Sequence, residues 1–160
     1  MAISVGDRIP DVTLRTMTDD GPAPVQSGDV LGKGKVVLFA VPGAFTPTCS
    51  DHHLPGFVVR AEDLMAKGVD TIACVAVNDA FVMGAWGEAQ GVGDKVVMLA
   101  DGNGELTAAL GLEMDGSGFG LGTRSQRYAA ILEDGVVTDL MVEPGPGLEA
   151  SSADAVLAKL

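Results

Sequence analysis

The chain predicts an α/β fold in which a mixed central β-sheet is flanked by helices, and three observations carry that expectation. Apolar runs at 35–41, 69–77 and 96–100 have the length and β-branched content of strands buried on both faces. Helix-type segments separate them, so the crossovers make these strands parallel. A later pair, 128–132 and 136–142, flanks Glu133-Asp134-Gly135, where Asp-Gly is a hairpin signal that adds an antiparallel pair.

Taken in order, Pro10-Asp11-Val12-Thr13-Leu14 reads as a short extended segment and Asp19-Asp20-Gly21-Pro22-Ala23-Pro24 as a loop. The strand at 35–41 is stopped by Pro42-Gly43. From 48 to 65 the residues favour a helix, with Thr46 and Thr48 available as N-caps. Leu54-Pro55-Gly56 is expected to kink that helix or break it in two. Phe57, Ala61, Leu64 and Met65 then recur near helical spacing until Gly68, a C-terminal stop. After the strand at 69–77, Asn78-Asp79 caps a helix that carries Phe81, Val82, Ala85, Trp86 and Ala89, with Phe81 and Trp86 expected in the core. The strand at 96–100 leads to a short helix at 105–110. Residues 111–122 hold five glycines and are expected to form a flexible loop. After the hairpin come Pro144-Gly145-Pro146-Gly147 and a last helix, capped by Ser151 or Ser152, with Ala155, Val156 and Leu160 on one side. This element order builds the thioredoxin-like fold and also fits other α/β layouts.

With 160 residues, one domain spanning 1–160 is expected. A chain of this size buries roughly 68–70% of its unfolded surface, enough for a core without staples. Hydrophobic residues make up 47% and mean hydropathy is +0.30, which excludes intrinsic disorder. No stretch approaches the ~18 uninterrupted apolar residues of a membrane span. Met1-Ala2-Ile3-Ser4-Val5-Gly6-Asp7-Arg8 has no basic region followed by an apolar run, so the expectation is no signal peptide and a cytoplasmic, reducing compartment in which Cys49 and Cys74 stay free. Asp and Glu number 22 against 10 Lys and Arg, a formal charge of -12. That field repels nucleic acid and anionic lipid, neither of which is expected as a partner, and leaves a small neutral substrate unaffected.

Chemistry concentrates in residues 41–57. A buried strand ends, a Pro-rich turn follows, and Cys49 enters the first turn of a helix, where unpaired N–H groups and the helix dipole favour an anion. A thiolate is such an anion and is the nucleophilic form of cysteine. Thr46 lies one helical turn earlier, so its hydroxyl can approach the sulfur or a bound oxygen. Position alone leaves Cys49 open to two readings, a nucleophile or a small buried hydrophobe. Cys49 and His52 have a spacing a metal could use, but no Cys/His cluster supplies further ligands, and no metal is expected. His53 is expected to hydrogen-bond locally within the helical segment before Pro55. The glycines of 111–122 lack the Gly-Lys-Ser/Thr of a phosphate loop. Cys74, within Ile72-Ala73-Cys74-Val75-Ala76-Val77, reads as a packed, inert thiol.

Pro42, Thr46 and Cys49 fill the pattern Pro-x-x-x-Thr-x-x-Cys, which resembles the active-site motif of the peroxiredoxins. The longer run Pro42-Gly43-Ala44-Phe45-Thr46-Pro47-Thr48-Cys49-Ser50, with His53-Leu54-Pro55-Gly56-Phe57 after it, is similar to the peroxiredoxin-5-like (type II) branch. So are Cys74-Val75-Ala76-Val77-Asn78-Asp79-Ala80-Phe81-Val82-Met83, then Trp86, then Arg124-Ser125-Gln126-Arg127-Tyr128-Ala129. The likeness runs through essentially the whole chain in order.

The resemblance implies a thioredoxin-like fold and a thiol peroxidase that reduces hydrogen peroxide and organic hydroperoxides without a cofactor, because the sulfur does the redox work. Cys49 matches the peroxidatic cysteine, whose thiolate attacks the O–O bond and becomes a sulfenic acid. Thr46 matches the hydroxyl that bonds thiolate and peroxide, and Pro42 the proline that shields the sulfur from water. Arg127 matches the arginine that stabilises the thiolate and polarises the peroxide; Arg124, three residues earlier, is the competing candidate. Some relatives carry a second cysteine near the C-terminal helix, where this chain reads Gly147-Leu148-Glu149-Ala150-Ser151-Ser152. A one-cysteine cycle is therefore expected, resolved by glutathione with glutaredoxin, or by thioredoxin. The resemblance also implies a non-covalent homodimer. Two other functions share the same chemistry at sulfur: a redox sensor that relays oxidation to a partner protein, and a thioredoxin-like disulfide oxidoreductase, which would normally need Cys-x-x-Cys.

Overall fold

A computed structural model describes residues 2–160. Its strands are β1 Thr13–Thr18, β2 Gly21–Gln26, β3 Lys35–Ala40, β4 Thr71–Ala76, β5 Val97–Ala100, β6 Glu113–Asp115, β7 Thr123–Ser125, β8 Tyr128–Glu133 and β9 Val136–Val142. The helices are α1 Ser27–Val30, α2 Leu54–Val59, α3 Ala61–Ala66, α4 Ala80–Ala89, α5 Glu105–Leu110 and α6 Ala153–Leu157, with a π-helical turn at Cys49–His53. Seven strands form one mixed sheet in the order β2-β1-β5-β4-β3-β8-β9. As expected from the crossovers, β3, β4 and β5 are parallel, and β8 and β9 join as an antiparallel hairpin. Asp134 and Gly135 turn that hairpin with φ of 49° and 83°, the left-handed pair that a tight two-residue turn requires.

Side-chain alternation divides the core in two. Val37, Phe39, Ile72, Cys74, Ala76, Ala129 and Ile131 face one cluster, with α2, α3, α4 and α6 contributing Phe57, Leu64, Trp86 and Val156. Val36, Leu38, Ala73, Val75, Tyr128 and Ala130 face the other, closed by Leu31, Leu106 and Leu110. The apolar runs look continuous in sequence because both faces are covered.

Four expectations are corrected. Residues 19–24 are not a loop: only Asp19-Asp20 turn, and Gly21–Gln26 is a strand paired with β1. Pro22 and Pro24 are tolerated because β2 is an edge strand and the two prolines, spaced by two, lack their N–H on the same, unpaired side. The helix expected at 48–65 is interrupted at Arg60 rather than at Pro55, with Arg60 at φ -97° and ψ 9°. The residues before Pro55 are already helical, and the π turn at Cys49–His53 lies directly ahead of it, where the proline ring and its missing N–H would disturb a regular α-helical ladder. Residues 111–122 carry β6 and a 3-10 turn at Ser117–Phe119, and β6 pairs with β7. Phe81, expected in the core with Trp86, is 67% exposed on the first turn of α4, while Trp86 is fully buried. The remaining caps follow expectation: Asp79 accepts from the Val82 N–H and Ser152 from the Ala155 N–H.

Candidate active site

Register places the site. Ala40, the last residue of β3, pairs with Tyr128, the first of β8, so the turn leaving β3 and the residue entering β8 meet at one end of the sheet. Tyr128 faces the cluster beneath α5, so alternation turns its neighbour Arg127 to the opposite face, the one that also receives Cys49. Within the turn, the Ala44 N–H donates to Asn78 Oδ1 at 2.9 Å, and Phe45 takes a left-handed φ of 64°. Thr46 precedes Pro47, where helical structure begins. Its hydroxyl donates to the Gly43 carbonyl at 2.7 Å, and Thr48 makes no side-chain cap. Neither threonine is therefore the capping residue expected. A Cβ on Gly43 would lie 3.0 Å from Arg124 Nη1 and 3.2 Å from Thr46 Cγ2, so glycine lets both side chains close on the turn.

Cys49 is fully buried. Arg127 Nη2 donates to its sulfur at 3.1 Å, and Arg127 Nη1 donates to His53 Nδ1 at 2.8 Å. Because a guanidinium only donates, Nδ1 is an acceptor and the imidazole proton sits on Nε2, which donates to the Ser151 carbonyl at 2.9 Å. Burial, and then the Arg127 charge, hold His53 down to about 4 from the ordinary 6.5. The Ser151 carbonyl and Glu143 offset part of that. Glu143 accepts from the Ser151 N–H at 2.7 Å, the Ser151 hydroxyl at 2.6 Å and the Glu149 N–H. Burial pushes this carboxyl up, yet the bonds from Ser151 and Glu149 outweigh it and leave it below the usual range. The Glu143 N–H donates to the Arg127 carbonyl at 2.9 Å, which closes the ring of contacts.

Arg124 takes a different place. Its Nε donates to the Leu121 carbonyl at 3.0 Å and its Nη1 to the Pro42 carbonyl at 3.3 Å, so it braces the turn while Arg127 meets the sulfur. A cleft of ≈ 830 Å³ adjoins the group, lined by Pro42, Thr46, Arg127 and Glu143 and by the apolar side chains of Met114 and Phe119. Of the sequence-predicted residues, Arg127 meets the Cys49 sulfur and shares the cleft with Pro42 and Thr46, while the Thr46 hydroxyl, expected to approach the sulfur, is given to the Gly43 carbonyl. His52 is exposed while His53 points inward, and among the described residues no three His, Cys, Asp or Glu side chains gather as a metal site.

The Redoxin family model matches residues 4–157. Peroxiredoxin-2E-2, chloroplastic, of Oryza sativa subsp. japonica is 55% identical over 99% of this chain and 72% of that protein. The chain belongs to the peroxiredoxin family. Reduced Prx3 from Vibrio vulnificus, solved in complex with hydrogen peroxide, superposes with a TM-score of 0.94 at 55% identity, covering 98% of both chains. A Burkholderia cenocepacia protein described as a putative thioredoxin reductase superposes with a TM-score of 0.98 at 48% identity, covering 100% of this chain and 99% of that one. The peroxiredoxin reading carries thiol peroxidase chemistry on a thioredoxin-like fold.

Three contacts of this peroxiredoxin escape sequence reasoning. His53, expected to bond within its own helix, instead reaches Arg127 and Ser151 across 74 and 98 positions. Glu143 has no local signal at all, since its partners are fixed by how the segment after β9 folds back. Trp86 Nε1 donates to Ser50 Oγ at 2.9 Å, which ties α4 to the residue beside Cys49.

Proposed function

We propose that Cys49 is the peroxidatic nucleophile of a one-cysteine cycle, with Arg127, Thr46 and Pro42 as its catalytic partners. The observation that carries the reading is the 3.1 Å bond from Arg127 Nη2 to the sulfur. The Cys49 thiolate attacks the terminal oxygen of the peroxide and the O–O bond breaks. Sulfur is oxidised to a sulfenic acid, and the leaving oxygen takes a proton to depart as water or an alcohol. Negative charge grows on that oxygen, and the fixed Arg127 guanidinium stabilises it as it forms. Pro42, between the turn and the cleft, limits water at the sulfur.

Resolution falls to an external thiol. Cys74 is fully buried in β4, and burial, with Cys49 beside it, pushes its thiol well above the ordinary range, which argues against a resolving role. Both cysteines are free. Glutathione with glutaredoxin is the assigned reductant and thioredoxin the alternative: one thiol forms a mixed disulfide with release of water, and a second releases Cys49. A cytoplasmic setting, which keeps such thiols reduced, completes the cycle. We also assign a homodimer. Phe45 is 56% exposed, its ring lies 6.5 Å from that of Trp86 on α4, and Phe81 on the same helix is exposed as well.

Stopped-flow mixing of reduced protein with hydrogen peroxide, followed by Trp86 fluorescence, tests the nucleophile. Fast oxidation that is absent from Cys49→Ser is the expected result; a rate no better than a free thiol's refutes it. Turnover with glutathione and glutaredoxin that survives Cys74→Ser supports the one-cysteine cycle, and collapse to a single turnover overturns it. A monomer by light scattering at micromolar concentration removes the dimer.

A further inference from the structure

Between Val142, the end of β9, and α6, the chain folds back over the sheet end and contributes no group to the sulfur directly. Its buried polar atoms nevertheless lead there. Glu143 is 7% exposed and Ser151 fully buried, and the Glu143 carboxylate takes both the N–H and the hydroxyl of Ser151. Held so, the Ser151 carbonyl receives the His53 Nε2 proton, which leaves Nδ1 as the acceptor for Arg127 Nη1. With Nη1 committed and its own carbonyl tied to the Glu143 N–H, Arg127 turns Nη2 onto Cys49.

We infer that Glu143, acting through Ser151 and His53, is a positioning residue for the Arg127 guanidinium, which makes the 143–151 segment a working part of the peroxidase. The inference rests on the peroxidase reading of Cys49 and adds to it residues that make no hydrogen bond to the sulfur, although Glu143 borders the same cleft. A guanidinium has five donors in a fixed plane, so anchoring one nitrogen sets where the other points. The anchor is an imidazole whose tautomer is set by a main-chain carbonyl, and that carbonyl is placed by a carboxylate buried with its donors. Loosening any joint lets the plane rotate, and a misplaced donor loses much of its effect on a developing charge.

A double-mutant cycle tests this. His53→Leu removes the acceptor and is expected to slow oxidation of Cys49 by hydrogen peroxide about tenfold or more, the usual scale for losing a hydrogen bond to a charged group. Glu143→Gln keeps the shape but gives up the charge and sets an amide where the carboxylate received only donors; roughly a tenfold loss is expected on the same grounds. If both act on Arg127 along one chain, the double variant is no slower than His53→Leu alone. His53→Gln, which can accept from Arg127 and donate to Ser151, should recover part of the rate. The thiolate fraction of Cys49, read by ultraviolet absorbance at neutral pH without any peroxide, should fall in the same rank order. That titration separates the two claims: slow peroxide reaction in the wild type sinks the peroxidase reading, whereas an unchanged thiolate fraction sinks the positioning. Additive losses, or a folded Glu143→Gln with wild-type rate and thiolate fraction, overturn the inference. Where Glu143→Gln does not accumulate in folded form, Ser151→Ala, which removes only the hydroxyl donor, carries the same comparison.

Discussion

Cys49 and Cys74 are equally buried, face the same side of the sheet and belong to one core cluster, yet their surroundings differ in kind. Cys74 sits mid-strand, paired with Phe39 on one side and Met98 on the other. Burial dominates there, with Cys49 adding to it and Arg127 offsetting only part, and the charged form of the thiol is disfavoured. Cys49 lies past the end of β3, in a turn of helix, where register brings a guanidinium to 3.1 Å and an open cleft lies beyond. Exposure therefore does not separate the two sulfurs of this protein. The separating feature is a fixed charge whose own orientation is held by further buried groups.

The contrast is sharpest if that charge is removed. Arg127→Leu should slow peroxide oxidation of Cys49 by about 10²–10³-fold, the range found for losing one preorganised donor to a developing anion, with no change at Cys74. Rapid-mixing kinetics with hydrogen peroxide reads the loss. A drop of less than a few-fold in folded protein would mean the arginine is only a packing element.

Next in size is a pH effect that belongs to the Cys49 side alone. His53 is held at about 4 in the folded chain against an ordinary 6.5, so its contribution to stability is present in full above about 6.5. As pH falls towards about 4 the unfolded chain takes up a proton that the folded chain refuses, and about 3 kcal/mol is lost. Denaturant unfolding across that window should show the decline in the wild type and lack it in His53→Gln; identical slopes would contradict the buried neutral imidazole.

Thr46→Val should cost roughly tenfold in the oxidation rate, one hydroxyl hydrogen bond's worth, with Thr46→Ser close to wild type. The smallest effect is on the other sulfur. Cys74→Ala should leave the peroxide rate unchanged and destabilise the fold by only ~1 kcal/mol, the cost of a small cavity. A Cys74→Ala variant with slowed oxidation would dissolve the distinction between the two thiols.

Much of this arrangement is legible in the residues. The apolar runs, the Asp-Gly turn and the glycine and proline stops give the central strands and most helices, because those signals are local. β2 is hidden by Pro22 and Pro24, whose presence in a strand makes sense only once it is known to be an edge. Cys49, Thr46 and Pro42 share one short motif, and Arg127 is reached through resemblance. His53 stands inside the motif but its partners do not, so its bonds to Arg127 and Ser151 are invisible until the chain folds. Glu143 is one acidic residue among 22. Only the return of the chain over the sheet end singles it out.

The most direct test of the difference between the two sulfurs exposes reduced protein to one equivalent of hydrogen peroxide for milliseconds, then quenches it in denaturant with an alkylating reagent. Free thiol at each position is counted by peptide mass. The account predicts loss of free thiol at Cys49 with Cys74 fully alkylated, and protection of both in Arg127→Leu over the same pulse. Oxidation at Cys74, or equal loss at the two positions, would contradict it.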